Sequence, residues 1–110
     1  MNFPSALYRV IQDPANSDWI QWVNNGKSFR FHDWNRLINA LRGFGFKASR
    51  RSSVDRNFHD YRFKSKHNGR RRVQDLKDNL AWFQFQHEFF TRESPTITKI
   101  TRLYGSNTNQ

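Results

Sequence analysis

Apolar residues recur along this chain with two alternating periods. Phe3, Leu7, Tyr8, Val10 and Ile11 fall at helical spacing; Pro4 suits a first turn and Pro14 closes the run, predicting a helix over 3–13. Trp19 to Val23 and Ser28 to Phe31 are β-type runs around Asn24-Asn25-Gly26-Lys27, which predicts a hairpin whose packed face carries Trp22, Phe29 and Phe31. Asp33 is an N-cap candidate for a second helix with Trp34, Leu37, Ile38 and Leu41 on one stripe; Gly43 and Gly45 end it, and Phe44 and Phe46 sit in the bend. The run from Ser52 to Phe63 predicts a third, shorter helix. At about 100° per residue, Val54, Phe58 and Tyr61 share an apolar stripe, while Arg56, His59 and Asp60 point the other way. Ser52 or Ser53 supplies the hydroxyl expected at its N-cap.

Beyond it, Phe63-Lys64-Ser65-Lys66 starts a strand and the run from Leu80 to Gln86 returns as its partner. Residues 67–79 between them are too poor in apolar side chains to be core and read as a projecting loop, or wing. Phe89, Phe90, Ile97 and Ile100 form a last amphipathic stretch broken by Pro95, and 105–110 is a polar tail expected to fray. The order of helix, two strands, two helices and two strands is that of a winged helix-turn-helix. This α+β fold places a three-helix bundle on a small antiparallel four-stranded sheet. One domain over 1–104 accounts for nearly all of the 110 residues.

Composition sharpens this outline. Aromatic residues make up 16% of the chain, enough rings to fill a small interior with few residues. Trp22, Trp34 and Trp82 are expected in that core, and Trp19, beside a polar stretch, is the one expected to be exposed. The 19 Lys and Arg against 9 Asp and Glu leave a net charge of +10, which makes a polyanion the leading partner. The surplus is local: between Arg42 and Arg72 eleven basic residues face two carboxylates, Asp55 and Asp60.

The absence of cysteine excludes a disulfide framework and thiolate zinc sites, and the four histidines are too far apart in sequence to pair on one helix face. No metal and no cofactor is expected. No P-loop, no GxSxG and no carboxylate pair on one face appears, so an enzyme is not expected. With no stretch approaching about 18 consecutive apolar residues and no charged n-region before an apolar segment, the chain reads as soluble, intracellular and without a membrane partner.

Candidate chemistry concentrates on the third helix. Arg56 faces outward near its start, where recognition helices touch bases, and its guanidinium fork can donate to guanine O6 and N7. Asn57, nearer the flank, can pair with an adenine edge. Asp60 can orient Arg56, and Asp55 lies where the helix dipole favours an acid. Lys47, Arg50 and Arg51 precede a helix N-terminus that itself favours anions, so phosphate contact is expected there and at Ser52 and Ser53.

From Phe3 through Leu7-Tyr8, Asp13-Pro14, Ile20-Gln21-Trp22, Gly26-Lys27-Ser28-Phe29 and Asp33, then without a gap to Arg56, the chain resembles the DNA-binding domain of the heat-shock transcription factors. Tyr61, Phe63, Phe85-Gln86-His87, Phe90, Arg92 and Ile100-Thr101-Arg102 continue the match. The resemblance implies a nuclear, sequence-specific binder of double-stranded DNA whose third helix, about 52–61, enters the major groove, with Arg56 reading a guanine of GAA-type repeats. It places phosphate contacts on Lys47, Ser53, His59, Lys64 and Arg92, and Arg62 joins this basic set. It also implies a wing that meets neighbouring subunits. Arg70, Arg71 and Arg72 in this wing suit a phosphate backbone equally.

Several positions depart from the family pattern. Asp55 replaces an apolar residue, Asn57 a Gln, His59 an Asn, Arg62 a Gly, Gly43 a Pro, and Arg51 and Val54 aromatics. The family's trimerising coiled coil follows the domain and is not in these residues. The chain is therefore expected either to be a piece of a longer protein, homo-oligomeric through segments outside it, or to associate differently. Two other readings stay open: a winged-helix protein-interaction module that has lost DNA specificity, and a basic RNA- or single-strand-binding domain.

Overall fold

The computed structural model describes residues 2–65, 81–93 and 95–102. The expected wing, with Arg70, Arg71 and Arg72, and the tail fall outside the described residues.

Helix α1 (Phe3–Gln12) starts at Asn2, whose Oδ1 accepts the Ser5 N–H at 3.1 Å. Asp13 ends it and caps a 3-10 turn, Pro14–Asn16. That turn folds the polar stretch back on itself and reverses one expectation: Trp19 is 1% exposed, and its indole N–H donates to Asn16 Oδ1 at 3.3 Å. Trp22, Trp34 and Trp82 are instead partly buried.

Strands β1 (Ile20–Val23) and β2 (Ser28–Phe31) pair antiparallel, with Trp22 opposite Phe29. Asn24, Asn25 and Gly26 all take positive φ in the turn, a conformation that Asn and Gly tolerate best. Helix α2 (Trp34–Arg42) is capped by Asp33, which accepts the Arg36 N–H. Leu37, Ile38 and Leu41 are its buried stripe.

Helix α3 (Arg51–Asp60) follows, then β3 (Lys64–Ser65) and β4 (Phe83–Gln86). The returning strand is shorter than its sequence suggests; Trp82 lies before it, with the Arg30 guanidinium 4.0 Å over its ring. The sheet order is β1-β2-β4-β3, antiparallel throughout. The last amphipathic stretch holds a 3-10 turn, Ile97–Lys99, with Phe90 and Ile100 buried. Among the described residues no helix is long and apolar enough to cross a membrane.

Aromatic rings join helices to sheet. Phe58 of α3 stacks on Phe85 of β4 at 4.1 Å between centroids and meets Phe3 of α1 edge-on at 5.2 Å. Phe29, Phe31 and Phe58 are almost fully excluded from water. These contacts decide which side of α3 is left to face outward.

Candidate nucleic-acid interface

The apolar stripe of α3 is as its periodicity predicts: Val54 and Phe58 are buried, and Tyr61 just beyond the helix is buried with them. Arg56, on the opposite side, has a side chain 79% exposed, and His59 one 75% exposed. With Ser52, Asp55 and Asp60 they line a shallow groove of about 450 Å³.

Asp60 departs from expectation. Its side chain is only 7% exposed, and its carboxylate lies 3.5 Å from Arg102 Nη2, 4.0 Å from Arg56 Nε and 4.0 Å from His59 Nδ1. The helical wheel sets Asp60 on the flank of the polar side, and the segment carrying Arg102 is what covers it. No local pattern announces that cover, since the two residues are far apart in sequence.

The helix start differs too. Arg50, in extended conformation, is the N-cap of α3 and offers no side-chain cap bond; its carbonyl accepts the Ser53 and Val54 N–H groups. Ser52 and Ser53 therefore stand inside the first turn. Lys47, Arg50 and Ser52 are exposed. Arg51 is exposed as well, but its guanidinium lies 4.7 Å over the Trp34 ring and 5.1 Å over Phe83. Asn57, half-buried, donates from Nδ2 to the Ser53 carbonyl at 3.0 Å, so its amide nitrogen is committed to its own helix.

At the far end of α3 the chain leaves through Arg62, with φ +68°. The Arg62 N–H reaches the His59 carbonyl and the Phe63 N–H the Phe58 carbonyl, a Schellman ending with arginine in the left-handed position. Arg62 and Lys64 line a second cleft, of about 610 Å³, with Lys27, Lys99 and His87. Sequence reading missed Lys27 and Lys99: one lies in the β1–β2 turn and the other near the end of the described chain. Glu88 is the acid in this cleft. Burial lowers the pKa of His87 from its ordinary value; nearby Glu88 opposes this, whereas Arg62 and Lys64 add to it. Its Nδ1 accepts the Phe89 N–H at 3.0 Å, as a neutral imidazole can. Arg92 sits apart from α3: its backbone N–H donates to the Gly26 carbonyl and its Nε pairs with Glu93 at 3.0 Å.

The geometry thus presents Arg56 outward on a helix docked by aromatic rings, with further cations at its start and its exit. A profile of the HSF-type DNA-binding family matches residues 3–103. The chain belongs to the HSF-type DNA-binding family. The heat shock transcription factor of Saccharomyces cerevisiae is 29% identical over 97% of this chain, and heat shock factor protein 3 of Gallus gallus is 30% identical over 80% of it. The chain spans 13% and 19% of the length of these two HSF-type relatives. Skn7 of Chaetomium thermophilum, solved with SSRE DNA, superposes with a TM-score of 0.70 at 23% identity, over 93% of this chain and 99% of that one. A heat shock transcription factor solved in a DNA complex gives 0.51 at 23% identity, over 76% and 90%. Both neighbours share the winged-helix fold of this HSF-type domain.

Proposed function

We propose that this chain binds double-stranded DNA in the nucleus, as the sequence-reading part of a transcription regulator. Helix α3 enters the major groove and Arg56 reads a guanine of a GAA-like element. The observation that carries this reading is the exposed Arg56 side chain on a helix whose other side is buried by Val54 and Phe58. An arginine fork on guanine O6 and N7 is worth about 1–3 kcal/mol against the wrong base. Asn57 contributes on exchanging its Ser53 bond for an adenine edge.

Lys47, Arg50, Arg51, Ser52 and Ser53 hold phosphates at the start of α3, helped by the positive end of the helix dipole, and His59 holds one from the last turn by its own side chain. Arg62 and Lys64 extend that basic surface at the exit of α3, and Arg92 holds a separate phosphate from beside the β1–β2 turn. Contacts to phosphate supply affinity without sequence information.

Selection of bound duplexes from a random library at fixed, stated salt tests the reading. Enriched GAA repeats are expected. Arg56→Ala then flattens preference at one base position by more than it lowers non-specific affinity, whereas Lys47→Ala weakens all duplexes alike. Selection without enrichment, or an equal loss on every sequence from Arg56→Ala, removes the base-reading role and favours a protein-interaction module on the same scaffold.

A further inference from the structure

Asp60 poses a problem that base reading alone does not explain. Among the described residues it is the one carboxylate buried from water, and it stands in the last turn of α3, where the helix's carbonyl end disfavours negative charge. A buried acid in that position is costly unless compensated. The compensation is particular. Arg102 and Arg56 both approach Oδ2, at 3.5 Å and 4.0 Å, and His59 approaches Oδ1 at 4.0 Å.

The two arginines are not equivalent. Arg102 follows Ile100, which is buried in the core, and its guanidinium lies 5.7 Å from the Tyr61 ring centroid, so two neighbours fix it. Arg56 stands on the open side of α3, with its Nε 4.0 Å from the carboxylate. A guanidinium can offer a base two kinds of donor pair: Nε with one terminal nitrogen, or both terminal nitrogens. With Nε engaged by Asp60, the second pair is the one left to a base.

We propose that Asp60 is a positioning residue for base recognition: anchored by Arg102, its buried carboxylate holds the Nε edge of Arg56 and aims the two terminal nitrogens outward at guanine O6 and N7. Arg102 has a second effect. By neutralising much of the Asp60 charge, it keeps Arg56 from folding down onto the carboxylate as its main counter-ion. The segment after Ile100 thereby takes part in recognition without touching a base. This rests on the reading of Arg56 as the base contact.

The test compares the affinity of this chain for a duplex of GAA repeats with that for the same duplex carrying adenine at each guanine, at one salt concentration. Asp60→Asn keeps the shape and removes the charge. It is expected to lower the guanine preference at least threefold while raising affinity for the substituted duplex, because an acid near phosphates has gone. A merely structural loss would weaken both. Arg102→Gln removes the main counter-ion of a buried acid and is expected to lower the melting temperature; measured well below that midpoint, it lowers the guanine preference while affinity for the substituted duplex holds, and Arg102→Lys restores part of both. In an Arg56→Ala background, Asp60→Asn is expected to cause no further loss of preference. If Arg56→Ala abolishes the preference while Asp60→Asn and Arg102→Gln leave it intact, the positioning role is overturned and base reading stands. If Arg56→Ala leaves the preference intact, base reading itself falls and the positioning role falls with it.

Discussion

Arg62 carries a cost that one atom of side chain explains. Helices α2 and α3 end in the same hydrogen-bonded pattern, and α2 puts Gly45, at φ +88°, where α3 puts Arg62. An L-residue held there costs about 1–2 kcal/mol, part of which glycine gives back through its freer unfolded chain. Arg62→Gly is expected to stabilise the domain by about 0.5–1 kcal/mol, read as a higher denaturant midpoint with an unchanged slope. It should also weaken DNA binding on all sequences alike. His87 contributes to the loss of stability in acid. Because burial lowers its pKa, the folded form binds its proton less readily than the unfolded chain does. Its contribution is therefore complete above about pH 6.5 and is lost as pH falls below that through the depressed value. His87→Asn, which keeps an acceptor for the Phe89 N–H, is expected to flatten the fall in melting temperature between pH 7 and 5. An undiminished fall would locate that limb elsewhere. Side chains whose surroundings are local, such as Val54 and Phe58, were legible in the sequence. Trp19 and Asp60 were not, because a turn of 3-10 helix and a distant arginine decide their burial.

Element by element, helices were read well where cap and stripe agree. Asp33 before Leu37, Ile38 and Leu41 is such a case. In α3 the two serines pointed to a cap, but Arg50 takes the extended conformation and the helix starts one residue before them. The cap position of α3 is thus occupied by a residue whose side chain offers no acceptor to the orphan amides. Arg50→Ser is expected to add about 1 kcal/mol of stability, seen in thermal or urea melts, while lowering non-specific DNA affinity through the lost charge. No gain in stability would mean that solvent already satisfies those amides at little cost. For the strands, alternation located β4 but not its first residue: Trp82 continues the apolar run, yet it packs under Arg30 instead of joining the ladder.

For the molecule as a whole, fold class was legible because an aromatic core and a local charge surplus are both properties of the linear chain. The second basic cleft was not, since it assembles the β1–β2 turn, the exit of α3 and the last 3-10 turn. The measurable consequence of the basic surface as a whole is the salt response. Five cations around α3 and its exit, Lys47, Arg50, Arg51, Arg62 and Lys64, are expected to give a slope of about −4.5 in log affinity against log salt, at about 0.9 per phosphate. A flat response would point to a protein partner. Arg51 adds an optical dimension. Its cation roofs the indole of Trp34 and the ring of Phe83, so a phosphate that recruits it must lift that roof, forfeiting about 0.5–1 kcal/mol of cation–π attraction. Emission from Trp34 then becomes an intrinsic gauge of complex formation, readable in titrations without any attached dye.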